Sequence, residues 1–276
     1  MDAESLNSPE DRERRELLEA IYERFHYDFR QYSVASVRRR LVQASRALGT
    51  DSLPALKERV IADPAAFTTL LSYLTVQVSD LFRDPPYYLG FRQRVVPILR
   101  TYPSLKIWIA GCSTGEEVYS FAILLREEGL LDRTILYATD ISPEALRAAE
   151  AGIYSLDRMR AFTQNHQASG APCSLATYYT ANYGSAVFDR SLRKNVVFAD
   201  HSLATDAVFA ETQVVSCRNV LIYFERELQD RAIALFRDSL CTRGFLGLGS
   251  KESLRFSDQE LSFEPFLREE RWYQRR

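Results

Sequence analysis

The chain has 276 residues, which at roughly 100 to 200 residues per domain suits two domains, or one large domain with an insertion. Apolar residues make up 46% and charged residues 26%, a globular balance that excludes a disordered, fibrous or low-complexity protein. With 35 basic against 37 acidic residues the net charge is -2, too balanced for a protein whose main business is nucleic acid. No apolar run approaches the roughly 18 residues of a spanning helix, and residues 1–30 are dense in charge where a signal peptide would be apolar, so a cytoplasmic protein without membrane insertion is expected.

Up to about Gly90 the chain is almost free of glycine and reads as helices. From Ser33 to Gly49 the residues Val34, Val37, Leu41, Ala44 and Leu48 recur at spacings of three and four, which predicts a helix with one buried face, capped at its C-terminus by Gly49. Five arginines (Arg30, Arg38, Arg39, Arg40 and Arg46) and no acid lie between Arg30 and Thr50. On a helical wheel Arg39 and Arg46 point away from the buried face while Arg38 and Arg40 flank it, so this helix carries a local positive field suited to an acidic macromolecular partner. Two more helices, about Leu53 to Ala62 and Pro64 to Leu74, complete a helical unit, with Asp63 as a cap and proline at the first helical position.

Strands then alternate with helices. Leu105 to Ala110, Thr134 to Ala138, Asn195 to Ala199, Gln213 to Ser216, Phe245 to Gly249 and Arg271 to Gln274 read as strands; Glu116 to Glu128, Pro143 to Ala151 and Glu225 to Leu240 read as helices. This alternation predicts an α/β domain with a largely parallel sheet covered on both faces. Leu156 to Lys194, with its tyrosine-rich TYYTANYGSAVF, interrupts the alternation and reads as a small inserted β subdomain. The expected organisation is therefore a helical domain with linker over 1–90 and an α/β domain over 91–276, with the insertion at 156–194.

The segment LKIWIAGCSTGEEVYS, followed by ILYATDIS, carries the chemistry. A strand entering a glycine turn and then a helix is how open parallel sheets bind nucleotides. Asp140 closes the next strand 25 positions after Gly115, where an acid can accept from both hydroxyls of an adenosine ribose. GCSTG lacks the G-x-G-x-x-G of a dinucleotide site, and Glu116 and Glu117 stand where a pyrophosphate would lie and would repel it. S-adenosylmethionine, cationic and free of phosphate, fits better than NAD or ATP. The four cysteines, Cys112, Cys173, Cys217 and Cys241, are far apart and read as reduced, buried small hydrophobes, with no metal-ligand spacing.

LFRDPPYY, GCSTGEEVYS, ATDIS followed by AEAGIY, and SCRNVLIYF, in this chain order, resemble the CheR family of S-adenosylmethionine-dependent methyltransferases, which esterify glutamates on bacterial chemoreceptors. The resemblance implies a Rossmann-like class I methyltransferase sheet with an N-terminal all-helical domain and a small inserted β subdomain. It also implies the cofactor S-adenosylmethionine, with S-adenosylhomocysteine as product and no metal, and a chemoreceptor helical bundle as partner of a monomeric enzyme. Carried over by position, the cofactor contacts fall on Gln77, Ser79, Arg83, Gly111, Glu116, Glu117, Asp140, Ser202, Leu203, Asn219 and Val220. Here Gln77 and Ser202 stand where the family has asparagine, and Ser79 where it has threonine. Arg83 and Tyr223 are the residues implied at the reacting centre, and Arg38, Arg39, Arg40 and Arg46 those facing the receptor.

A glutamate, with an ordinary pKa of about 4.3, is already ionised at neutral pH and is its own nucleophile, so no general base is needed. The site has only to align carboxylate, methyl and sulfur and to exclude water, which agrees with the scattered His26, His166 and His201 reading as surface or structural residues. Arg83 can hold a carboxylate in a bidentate way; its structural alternative is a domain-linking salt bridge. Three functions stay open: the methyltransferase, a cofactor-binding regulatory protein with little or no turnover, and a nucleic-acid methyltransferase, which no aromatic stacking positions support. The hairpin of the insertion reads as short, so recognition without a receptor C-terminal peptide is expected.

Overall fold

The computed structural model describes residues 8–276. The described residues divide into two compact units: one holds 8–76 with Ser202–Asp206 and Tyr223–Arg231, the other Gln77–His201, Ala207–Ile222 and Ala232–Arg276.

The first unit is built on α1 (Pro9–Phe25), α2 (Val34–Leu48), α3 (Leu53–Ala62) and α4 (Pro64–Leu74). Ser8 starts α1 by accepting from the Asp11 amide, and Asp63 starts α4 by accepting from the Ala65 amide at 2.9 Å with Pro64 following, as the sequence predicts. In α2 the predicted stripe is the buried one: Val37, Leu41 and Ala44 are inside, and Gly49 ends the helix at a φ of 66°. Leu17, Ile21, Leu56, Val60 and Leu70 of the other helices are buried as well. Tyr223 joins this unit through its carbonyl, which accepts from the Ser33 amide at 2.8 Å, and Glu225 donates its amide to the Gln31 carbonyl.

The second unit opens with a helix over 85–99, made of α5 (Pro85–Gly90), a π-helical turn at Phe91–Val95 and α6 (Val96–Leu99). It runs through residue 90, where the sequence shows only a glycine and a change of pattern. A seven-stranded sheet follows, from β1 (Leu105–Ala110), β2 (Thr134–Asp140), β6 (Val196–Asp200), β7 (Thr212–Cys217), β8 (Leu240–Leu248), β9 (Phe263–Leu267) and β10 (Trp272–Arg275), in the order β6-β2-β1-β7-β8-β10-β9. All neighbours are parallel except β10, which is antiparallel to β8 and β9. Helices α7 (Glu116–Glu127), α8 (Pro143–Ala151) and α10 (Arg226–Ser239) lie between strands in sequence. Ile107, Trp108, Ile109 and Ala110 of β1 are all buried, the signature of a parallel strand covered on both faces. The unpredicted β9 contains Pro265 and sits at a sheet edge, where a missing N–H is tolerated.

Between β2 and β6 the chain forms a second sheet, β3 (Ile153–Ser155), β5 (Ser185–Phe188) and β4 (Tyr179–Asn182), antiparallel and ordered β3-β5-β4, with α9 (Met159–Ala168) beside it. The turn from β4 to β5 is only Tyr183–Gly184, both with positive φ, the geometry of a tight type I′ hairpin. Two cysteines depart from expectation: Cys112 and Cys217 are buried, but Cys241 is half-buried and Cys173 exposed, because Cys173 lies in an irregular connection after α9 rather than in a strand.

Candidate active site

Strand order reverses beside β1: the chain goes from β1 outward to β2 and β6, then returns to β7 on the other side of β1. The loops after β1 and β7 diverge from such a switch point, and open α/β sheets bind ligands there. The two loops touch. Gly111, at a φ of 71°, passes so close to Val220 that an added Cβ would stand 2.5 Å from its Cγ2; only glycine lets the loops approach. Gly115, at a φ of 92°, then turns the chain into α7.

Asp140, at the end of β2, accepts the Ser113 amide at 2.8 Å and the Ser142 amide at 2.9 Å. Burial raises its pKa above the usual aspartate value, with the amides of Ser142, Ser113 and Ile141 opposing and the neighbouring Asp200 adding to the rise. Gln77 donates to the Ser142 hydroxyl at 2.9 Å, so glutamine at this position is tied to the Asp140 loop. The Ser113 hydroxyl, between the two glycines, is buried and has no hydrogen-bond partner among the described residues.

Glu116 and Glu117 open α7, favourable for its dipole, and each is held by an arginine. Glu116 is fully buried; Arg158 reaches it at 2.7 Å and the Thr114 hydroxyl donates to its other oxygen. Glu117 accepts from Ser216 at 2.5 Å and lies 3.4 Å from Arg218. Because Ser216 spends its hydrogen on Glu117, the Tyr87 hydroxyl must be the donor in the 2.7 Å contact between Tyr87 and Ser216. Arg218 is buried, bonded to the Asp84 carboxylate at 2.8 Å and the Arg83 carbonyl at 2.7 Å, and stacked over the Tyr87 ring at 4.2 Å. Burial works against its charge, yet the neighbouring Tyr88, Glu117, Tyr87 and Asp84 raise its pKa further above the ordinary arginine value.

Arg83 stands in a held backbone. Phe82 and Asp84 on either side have φ of 50° and 56°, strain of order 1–3 kcal/mol each that persists only where surroundings enforce it. Here the Phe82 amide donates to Ser120 Oγ at 2.7 Å and Arg218 grips residues 83 and 84. The Arg83 guanidinium itself has no hydrogen bond or ion pair among the described residues.

Asn219 adopts a φ of 61°. Its amide, with those of Val220, Ile222 and Gly249, converges on the carboxylate of the buried Glu252 at 2.7 to 3.3 Å. Burial pushes the Glu252 pKa up while the four amides oppose the rise. Glu252, Arg218 and Arg158 were not singled out in the sequence. Arg218 could have been found as a charge directly after the apolar β7 run; for the other two the contacts are between residues far apart in sequence, and no local pattern marks them.

The remaining expected residues lie in the helical unit. Leu203 is buried, and the Ser202 amide bonds the Asp206 carboxylate in a local turn. The Tyr223 ring lies 5.2 Å from the Arg40 guanidinium. Arg40 also donates to the Tyr73 carbonyl, and Arg38 pairs with Glu10 and Asp11, so both flanking arginines are engaged. Arg39 and Arg46 are exposed, with side chains unpaired among the described residues. His26 caps α1, His166 is buried against Glu127, and His201 is buried with its Nε2 at the Ala207 carbonyl.

This arrangement suits S-adenosylmethionine: an acid at the end of β2, a buried hydroxyl unpartnered among the described residues, and carboxylates rather than phosphate-binding groups at the start of α7. Among the described residues no helix is long and apolar enough to cross a membrane, and no three His, Cys, Asp or Glu side chains stand together as a metal cluster.

Comparison with known proteins agrees. Residues 77–267 match the family model of the CheR methyltransferase S-adenosylmethionine-binding domain, and residues 12–75 that of the CheR all-alpha domain. The chain is 59% identical over 265 residues to a Cher3 protein of Pseudomonas putida, covering 96% of this chain and 97% of the relative. It is 30% identical over 238 residues to a 104.1 kDa protein of Rhodobacter capsulatus, covering 82% of this chain but 24% of that longer protein. It is 32% identical over 195 residues to the chemotaxis protein methyltransferase of Listeria innocua, covering 70% of this chain and 71% of the relative. With the all-alpha and S-adenosylmethionine-binding domains matched in order on the fold described, the chain belongs to the CheR methyltransferase family.

Proposed function

We propose that this protein transfers the methyl group of S-adenosylmethionine to glutamate side chains in the cytoplasmic helical bundle of a chemoreceptor-type protein, forming methyl esters. The observation that carries this reading is Arg83: a guanidinium without a partner among the described residues, on a backbone held on both sides, in a site otherwise rich in neutralised carboxylates. Such a fork can receive a carboxylate and fix its direction of attack. When bound, S-adenosylmethionine supplies an electrophilic methyl on sulfur and leaves as the neutral thioether. The protein orients the glutamate oxygen, balances Glu116 and Glu117 with Arg158 and Arg218, and needs no base because the nucleophile is already ionised. The Listeria relative, named as a chemotaxis methyltransferase, points to the same class of substrate.

The test is transfer of tritium from methyl-labelled cofactor to receptor cytoplasmic fragments, with S-adenosylhomocysteine binding measured in parallel. Label that becomes volatile in mild alkali, as an ester's does, supports the proposal; cofactor binding without any transfer favours a regulatory protein instead.

Asp140 is the proposed ribose acceptor. Charge-assisted hydrogen bonds contribute about 1.5–3 kcal/mol each, so Asp140→Ala should weaken S-adenosylhomocysteine binding by at least about tenfold in calorimetry, where 1.4 kcal/mol is one factor of ten. Unchanged affinity would remove the ribose from this position.

The receptor is proposed to meet the exposed face of α2. Since the Arg39 and Arg46 side chains are unpaired among the described residues, Arg39→Glu with Arg46→Glu should alter stability by no more than about 0.5 kcal/mol. The same pair should raise the KM for receptor and flatten its salt dependence while cofactor affinity holds. Equal loss of both would mean that the arginines serve the fold. The two-residue hairpin of the inserted sheet leads us to expect no requirement for a receptor C-terminal peptide; micromolar binding of such a pentapeptide in calorimetric titration would contradict this.

A further inference from the structure

The inserted subdomain reaches into the candidate site through one side chain. Arg158, in the turn between β3 and α9, holds Glu116 Oε1 at 2.7 Å with one nitrogen. Its other nitrogen donates to the Ser79 carbonyl and lies 3.1 Å from the Asp80 carboxylate. The guanidinium is seated over the Phe162 ring at 4.6 Å, which limits its freedom. One turn further along α9, Asn165 donates to the Leu81 carbonyl at 3.1 Å, and the His166 ring lies 4.9 Å from that of Phe82. Four consecutive residues before Arg83 are thus held by the insertion, and the first two by the same guanidinium that neutralises the fully buried Glu116.

We propose that Arg158 is a positioning residue: by bridging Glu116 to residues 79–80 it sets where the Arg83 guanidinium stands relative to the cofactor loop. The inference rests on the reading of Arg83 as the group that receives the substrate carboxylate. A planar guanidinium can serve Glu116, the Ser79 carbonyl and the Asp80 carboxylate at once because its nitrogens point in fixed, different directions; an ammonium is a single point and must choose. Glu116, as the buried charge, would keep it. The insertion would then be part of the alignment apparatus of the enzyme.

Arg158→Lys keeps the ion pair and loses the bridge. In the full-length protein its turnover on receptor fragments should fall at least about tenfold, while S-adenosylhomocysteine affinity stays within about threefold, a split that a general loss of folding would not give. Hydrogen exchange supplies a readout independent of the substrate: amides at residues 81–84 should exchange faster by at least about fivefold, with those of β1 unchanged. Arg158→Met combined with Glu116→Gln, which leaves no unpaired buried charge, should show the same local exchange. Wild-type protein that methylates no receptor fragment would count against the substrate reading alone, and the exchange data would still decide the role of Arg158. Normal exchange at 81–84 in both variants, or a lysine variant with normal turnover, overturns the proposal.

Discussion

Arg218→Met should destabilise the protein by about 3–5 kcal/mol, the usual cost of leaving a buried charge without its partner. The guanidinium is the cation beside Glu117, it holds the Asp84 carboxylate and the Arg83 carbonyl, and it is buried against two tyrosines. Domains have a total stability of only about 5–15 kcal/mol, so urea denaturation should show a large fall in midpoint. Adding Glu117→Gln removes the stranded carboxylate and should restore part of the loss, a non-additivity expected of neighbours in one network. A double variant less stable than Arg218→Met alone would show that Glu117 is sustained by Ser216 and not by the arginine.

Arg83→Ala should behave in the opposite way. With no partner among the described residues its loss should move stability by no more than about 0.5 kcal/mol, yet turnover should fall about a hundredfold, the scale of losing one aligned donor. Arg83→Lys should recover little, because a point charge lacks the planar fork. Measured with saturating receptor fragment, near-normal turnover of the lysine variant would mean that charge alone matters at this position.

These two arginines also mark the limit of what the sequence discloses. Arg83 sits in LFRDPPYY, a motif whose family resemblance marks it; Arg218 sits in SCRNVLIYF, yet its function there is tertiary, set by Glu117 about a hundred residues earlier. Regular elements are legible because their periodicity is local: the LKIWIA strand, the Val37, Leu41, Ala44 face of α2 and the Asp63-Pro64 helix start all appear as expected. The helix over 85–99 is hidden by Gly90 and Pro97 within it, and α9 by its mixed composition in a segment that reads as irregular. Likewise the GCSTG loop and Asp140 can be recognised as a nucleoside-type site, whereas the amide cage on Glu252 and the bridge through Arg158 exist only after the strands are ordered.

The methyl group is proposed to go to a glutamate carboxylate. Tandem mass spectrometry of a receptor cytoplasmic fragment, after incubation with the full-length protein and S-adenosylmethionine, locates the modified side chain directly. Methyl esters on glutamates that disappear on mild alkaline treatment, and that are nearly lost with the Arg83→Ala variant, are the expected result. Methylation on lysine, arginine or glutamine, stable to alkali, would contradict it.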